Sequence, residues 1–187
     1  MKLLSEMDNE ELWRLFPVIL SKYDESWAEY YETEKELIVQ SIGIDIIVRI
    51  NHIGSTAVPN LIAKPTIDIL VEICHNTDLK FLKDRLDEAG YIFSEQPGKP
   101  APHMMFMKGY TPQGFADKIF HLHVRYFGDW DELYFRDYLI SHPDTAEKYG
   151  KLKLRLKEKY KHDRDGYTQA KSDFINKVVA KGRDELK

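Results

Sequence analysis

The run Thr66-Ile67-Asp68-Ile69-Leu70-Val71-Glu72-Ile73 is apolar at nearly every position. That pattern predicts a strand over 66–73 buried on both faces, and two carboxylates stand inside it. A second apolar run over 44–53, broken by Asp45, Arg49, Asn51 and His52, predicts another strand. The segment His52-Ile53-Gly54-Ser55-Thr56-Ala57-Val58-Pro59 and then Lys64-Pro65 joins the two. Upstream, residues 8–23 have helical spacing at Leu12, Phe16, Ile19 and Leu20. Asp8 would cap that helix with Glu11 three residues on, and Pro17 implies a kink or an early break. Residues 24–41 continue as a second helix that Gly43 closes. Residues 78–89 read as an amphipathic helix stopped by Gly90, and Tyr91–Phe93 as a short strand. The span 94–102 carries Pro97, Pro100, Pro102 and Gly98, which predicts an exposed loop. His103–Lys108 and Lys118–Tyr126 read as strands joined by a turn through Gly109, Pro112 and Gly114. From Asp129 onward the periodicity is helical: 129–141, 143–161 opened by Pro143, and 167–185. This order predicts an α/β (α+β) fold, a mixed sheet flanked by helices with a helical C-terminal part.

Composition narrows the class. A chain of 187 residues fits one domain, 1–187, with a sheet-containing core over 44–126 and C-terminal helices over 129–187. No apolar run approaches the ~20 residues that span a bilayer, and the first residues lack the apolar core of a signal peptide. The expectation is a cytoplasmic protein without a membrane partner. Cys74 is the single cysteine, which excludes an internal disulfide and a cysteine-rich zinc cluster.

The net charge of −4 is unevenly distributed. Residues 1–40 carry four Lys/Arg and ten Asp/Glu, whereas residues 148–187 carry thirteen and six. A basic end meets phosphates or forms a solvated helix face, and most of these lysines fit the second description. Neither interleaved exposed aromatics nor an Arg-rich tail is present, which points away from nucleic acid as a partner.

The candidate chemistry lies where the two strand-like runs meet. At Gly54, Ser55 and Thr56 a glycine lets the backbone approach a ligand, and N–H groups and hydroxyls suit a phosphate. The bland alternative is a plain tight turn. Asp68, in a strand that should be buried, must be paired, hydrogen-bonded or bound to a metal. Its partner is a divalent ion, or a cation such as Lys64 or Arg136 if the role is structural. His121 and His123 alternate on a strand and so share one face. With Asp68 on a neighbouring strand they would form a two-His-one-carboxylate cluster, or they are two satisfied histidines on a half-buried face. Lys64, Arg136, Lys153 and Lys171 are candidate phosphate partners, and Tyr167 and Lys171 lie four apart on one helical face.

Taken together, His52-Ile-Gly-Ser-Thr-Ala-Val-Pro, Lys64-Pro-x-x-Asp68, His121-Leu-His123-Val, Phe135-Arg136-Asp137-Tyr-Leu139 and Tyr167-Thr-x-x-Lys171 resemble the GrpB family over residues 45–178. The resemblance implies the nucleotidyltransferase fold, the polymerase-beta-like palm. There a Gly-Ser turn holds a triphosphate, Asp-x-Asp on the next strand holds two metal ions, and a later strand supplies a third carboxylate. It therefore implies metal-dependent nucleotidyl transfer from a nucleotide to a small acceptor, with Asp68 catalytic and Asp68, His121 and His123 on a Mg, Mn or Zn ion. The alternative is a non-catalytic nucleotide or phosphometabolite binding module of the same fold. Fusions of family members behind dephospho-CoA kinase imply a link to coenzyme A metabolism. Two departures bear on the choice. Leu70 stands where the second carboxylate belongs, and His121 and His123 occupy the strand of the third. Asp68 and Glu72 would be ~13 Å apart at ~3.3 Å per residue, too far to share one ion.

Overall fold

The apolar run of 66–73 becomes the second strand of a five-stranded mixed sheet because both of its faces are covered. The structure, a computed structural model, describes residues 2–185; residue 1 and residues 186 and 187, the ends of the expected 1–187 span, lie outside the described residues. The strands are β1 (Ile47–Ile53), β2 (Ile67–Ile73), β3 (Ile92–Ser94), β4 (Met104–Thr111) and β5 (Gly114–Tyr126), in the spatial order β1-β2-β5-β4-β3. β2 and β5 are parallel, and the other neighbours are antiparallel. Two-residue alternation then sorts the side chains. Ile67, Ile69, Val71 and Ile73, with Phe120, Leu122 and Val124, pack under Trp27, Tyr31, Ile38, Ile42, Leu82 and Leu86. Those last six come from the helices α2 (Ser26–Ile42) and α3 (Leu79–Glu88). The register sets Asp68 beside His121, Leu70 beside His123 and Glu72 beside Arg125 on the opposite face.

Local signals explain most of the boundaries. Asp8 caps α1 (Asn9–Leu15) in a capping box with Glu11, and Asp78 caps α3 by accepting from the Lys80 and Phe81 N–H groups. Gly43 ends α2 at φ 87°, donating its N–H to the Val39 carbonyl. The expected helix over 8–23 stops at Leu15, because Pro17 cannot continue it. The chain beyond runs extended, and Ser21 bridges to Ala63. The expected strand over 44–53 opens with one 3-10 turn, Ile44–Ile46. The β4–β5 hairpin is longer than its glycines suggested. Gly109 sits inside β4, at a register shift, rather than in the turn. A Cβ there would lie 2.2 Å from the Lys118 carbonyl oxygen, so glycine permits a bulge and not a reversal.

The C-terminal part is α4 (Asp131–Ser141), α5 (Pro143–Lys159), α6 (Arg164–Gln169) and α7 (Ser172–Glu185). The single helix expected over 167–185 is broken after Ala170, and its first portion begins earlier, where Asp163 accepts from the Gly166 N–H. Phe135, Leu139, Tyr149 and Val178 of these helices pack on Val58 and Leu61 from the β1–β2 connection. That packing lays the C-terminal helices over the polar face of the sheet. Among the described residues no helix is long and apolar enough to cross a membrane.

Glu72, the second carboxylate of β2, has a structural role. It is fully buried and accepts from both Nε and Nη2 of Arg49, the latter at 2.8 Å, and from the Gly128 N–H at 3.1 Å. The Arg49 side chain is 38% exposed, so water shares in compensating the pair. Arg49→Met leaves a buried carboxylate without its cation and lowers unfolding free energy by about 2–3 kcal/mol, checked by denaturant titration.

Candidate functional site

β1 hands the chain to the site at Ile53, whose ladder partner is Asp68. Gly54 follows at φ 71°, ψ −167°, a region essentially reserved for glycine. A Cβ on Gly54 would stand 2.5 Å from Asp68 Oδ2, so the turn and the carboxylate are in direct contact. Ser55 opens a single 3-10 turn and lies beside Tyr149 of α5. Gly54, Ser55 and Asp68 line one cavity of about 1370 Å³ between the sheet and the C-terminal helices.

On the sheet side, Asp68 Oδ1 faces His121 Nδ1 at 3.3 Å and His123 Nε2 at 3.6 Å. His121 Nε2 lies 2.7 Å from the Tyr110 hydroxyl, and Arg164 Nη2 donates to that hydroxyl at 3.0 Å. The donors order themselves. A carboxylate only accepts, so in the neutral tautomer with its proton on Nδ1, facing Asp68, His121 accepts from the Tyr110 hydroxyl at Nε2. The chain Arg164–Tyr110–His121–Asp68 thus ties α6 to the sheet across the cavity. Burial holds His121 below its ordinary range, against the pull of Asp68. Burial also pushes the Asp68 carboxyl up, but hydrogen bonding by His121 and His123 outweighs it and holds Asp68 well below the usual carboxylate range.

On the helical side three lysines turn inward. Lys64 comes from the β1–β2 connection, Lys153 from α5, and Lys171 from the break before α7. Lys171 Nζ lies 4.4 Å from the centre of the Tyr167 ring and Lys64 Nζ 5.0 Å from the same ring. Lys153 Nζ lies 4.6 Å from the Tyr149 ring. Among the described residues none of these lysines, nor Arg164, belongs to an ion pair. The Lys153 Nζ and the Tyr167 hydroxyl are buried without a hydrogen-bond partner. Burial, then repulsion from Lys171 and Lys64, pulls Lys153 down to about 7. Burial, then Lys171 and Arg164, brings Lys64 to about 7, and burial brings Lys171 to about 8. Buried like charges repel and lose solvation, so an arrangement of this kind calls for an anion from outside.

Two members of the expected phosphate set are placed elsewhere. The Arg136 guanidinium bonds the His52 carbonyl at 2.9 Å, Asn51 Oδ1 at 3.3 Å and Asp137 at 2.6 Å, which pins α4 to β1. The Thr56 hydroxyl is buried, donates to the Thr66 carbonyl at 3.1 Å and meets His52 Nε2 at 2.9 Å. His52 is therefore a brace for the turn, stacked on Tyr31 at 4.9 Å, and burial lowers it to about 4.

The expected Asp68–His121–His123 set does come together, His121 Nδ1 and His123 Nε2 both facing Asp68 Oδ1, with His121 Nε2 against the Tyr110 hydroxyl. Leu70 is fully buried at the position of the second carboxylate, and Glu72 is held by Arg49. Among the described residues no group of three or more His, Cys, Asp or Glu side chains is arranged to hold a metal ion. The donor set does not fit the two-metal centre that the fold implies.

Sequence reasoning missed Arg164, Tyr110 and Tyr149. Arg164 was one cation among thirteen in a basic tail, and no local pattern separates an inward-facing one from the rest. Trp130 and Phe135 both line the cavity, although Phe135 is also buried in the helical core.

The family profile described as GrpB protein matches residues 17–181. A curated relative, the glutamate-rich protein GrpB of Alkalihalophilus pseudofirmus, is 37% identical over 169 residues, covering 87% of this chain and 94% of that protein. A Pseudomonas aeruginosa relative, 36% identical over 160 residues, is longer, and the chain spans 64% of it. Among solved structures, GrpB from Enterococcus faecalis superposes with a TM-score of 0.78 at 29% identity, covering 90% of this chain and 99% of that one. The Cid1 poly(U) polymerase with Mg 3'-dATP bound superposes at 0.52 with 11% identity, over 80% of this chain and 49% of the polymerase. At that identity the likeness is one of fold, and it is the nucleotidyltransferase fold.

Two outcomes follow from the geometry. Gly54→Ala forces a side chain into the Asp68 carboxylate from a glycine-only conformation and lowers stability by about 2 kcal/mol, measured by chemical denaturation. Lys153→Met removes an unpaired buried cation and stabilises the ligand-free protein by about 1–3 kcal/mol near pH 6. Lys153 titrates near 7 when folded and near its ordinary 10.5 when unfolded. Between those values the unfolded chain binds more protons, so wild-type stability rises with pH across that window. Lys153→Met flattens that rise, read from unfolding curves at pH 6, 8 and 10.

Proposed function

This chain belongs to the GrpB family, and from that premise we propose that its cavity binds a nucleotide or another small phosphorylated ligand through Lys64, Lys153, Lys171, Arg164 and the Gly54–Ser55 turn. The observation that carries the reading is the buried Lys153 ammonium without a hydrogen-bond partner, in a cavity where, among the described residues, two more lysines and an arginine also lack an ion-pair partner. A structural lysine would be expected to hold a carboxylate, as Lys108 holds Glu34 at 2.7 Å in the core. Tyr149 and Tyr167 form apolar walls that weaken competition from water, so each charge-assisted hydrogen bond to a phosphate gains strength.

Metal-dependent nucleotidyl transfer, with Asp68 as the catalytic carboxylate, has less support. It needs a second acidic ligand at position 70 and a third on β5, where this chain has Leu70, His121 and His123. Asp68 instead orients His121, and through Tyr110 it orients Arg164 toward the ligand. The reading is thus a phosphate-binding module on a nucleotidyltransferase frame. Dephospho-coenzyme A belongs among the ligands to try, because of the fusions noted above.

The test is calorimetric titration with nucleoside mono-, di- and triphosphates, dephospho-coenzyme A and coenzyme A, with and without Mg²⁺ or Mn²⁺. At least one ligand binds, and Lys153→Met and Lys171→Met each weaken it by about 10–100-fold, the equivalent of about 1.5–3 kcal/mol for a charged hydrogen bond. Lys181→Met, on an exposed stretch of α7, leaves affinity unchanged. Absence of binding by every member of the panel under both conditions would sink the reading.

A further inference from the structure

We infer that the cavity takes a polyphosphate chain, of at least two phosphoryl groups, without a divalent cation, the lysine cluster standing in for the metal charge. This rests on the phosphate-binding reading and adds to it the ligand's charge and its independence of metal. Two observations carry it, and they are independent of each other.

The first is the count and placement of charge. The cavity lining carries Lys99, Glu132 and Asp165, and Asp129 and Asp131 paired with Arg183, but Lys64, Lys153, Lys171 and Arg164 form the cationic group on its helical side, and Asp68, against the Gly54 turn, is the acidic group that acts on all three lysines. Asp68 faces the two histidines, while Lys64 and Lys171 both lie against the Tyr167 ring and Lys153 against the Tyr149 ring. An orthophosphate monoester brings at most two negative charges, which leaves the cluster under-neutralised. A diphosphate or triphosphate brings three or four and spreads them over a chain able to reach lysines held by three different elements. A metal-bound polyphosphate brings two fewer.

The second is the donor chemistry of the sheet face. Where the fold would place a second and a third carboxylate, Leu70 is apolar and fully buried and His121 and His123 stand on β5, while Glu72 is held by Arg49 and the Gly128 N–H. A divalent ion carried in on a polyphosphate would find Asp68 as the one carboxylate of that set. It would also bring positive charge toward three unpaired ammonium groups and a guanidinium, where each like charge costs energy in a water-poor pocket. Near-neutral lysines in the free protein agree with this picture, since a polyanion draws them into the charged form.

The experiment titrates the full chain with inorganic orthophosphate, pyrophosphate and tripolyphosphate, first in EDTA and then in excess Mg²⁺. In EDTA the affinity rises from orthophosphate to tripolyphosphate by about 100-fold or more, and Mg²⁺ weakens tripolyphosphate binding by several-fold. Lys153→Met flattens the series, whereas Lys181→Met leaves it intact. Tripolyphosphate binding that appears only with Mg²⁺, or that tightens with it, overturns metal independence while leaving the phosphate site standing. Equal affinity for all three anions in EDTA overturns the polyphosphate assignment. Failure of every anion in both conditions removes the inference together with the reading beneath it. Because Lys153→Met is expected to fold more stably than wild type, loss of binding in that variant reports on the site and not on unfolding.

Discussion

The structure of this site depends on a contact that only glycine allows. Gly54 leaves β1 in a conformation closed to other residues, and the carboxylate of Asp68 fills the space where its side chain would be. That one approach places Ser55 beside α5, fixes Asp68 against the histidines of β5, and sets the depth of the cavity floor. The β1–β2 connection then carries Lys64 back over the floor, with Val58 and Leu61 anchored in the helical core.

Around that contact the protein separates two kinds of buried charge. Glu34 with Lys108 and Tyr91, and Glu72 with Arg49, are compensated pairs within the core. Their donors and acceptors are satisfied, and their role ends with stability. The lysines of the cavity are the reverse. They are collected from the loop, α5 and the α6–α7 break, and among the described residues none of them has an ion-pair partner, Asp68 acting on them only at a distance. Holding them together costs stability in the free protein, which is the usual mark of a site prepared for a ligand rather than for folding. The chain through Arg164, Tyr110, His121 and Asp68 shows how the two halves are kept in register: one end of the cavity wall belongs to the sheet and the other to a short helix, joined by hydrogen bonds of fixed direction.

The frame is that of a nucleotidyltransferase, and the chemistry installed in it differs from what the frame alone would lead one to expect. A two-metal centre needs several carboxylates with free oxygens near one point. Here the equivalent positions hold a leucine, a histidine bonded at both nitrogens, and a carboxylate already facing two imidazoles. Fold likeness therefore extends to the frame and not to the set of carboxylates within it.

Much of this was legible in the residues. The alternation and the near-continuous apolarity of 67–73 determined the strands, Asp8, Asp78 and Gly43 marked helix ends, and the Gly54–Ser55 turn with Asp68 pointed to a common site. Those are local matters, set by backbone sterics and by the burial period of a strand or helix, so sequence alone carries them. Two things were decided only in three dimensions. One is which members of a basic tail face inward: Lys153, Lys171 and Arg164 are chemically no different from their neighbours until α5 to α7 pack over the sheet. The other is what each polar group does. Arg136, Thr56 and Glu72 had the right chemistry for a site, yet their partners, supplied by distant segments, consumed it. Local pattern fixes where a side chain can point, whereas the neighbours that fill its hydrogen-bonding capacity come from the whole fold.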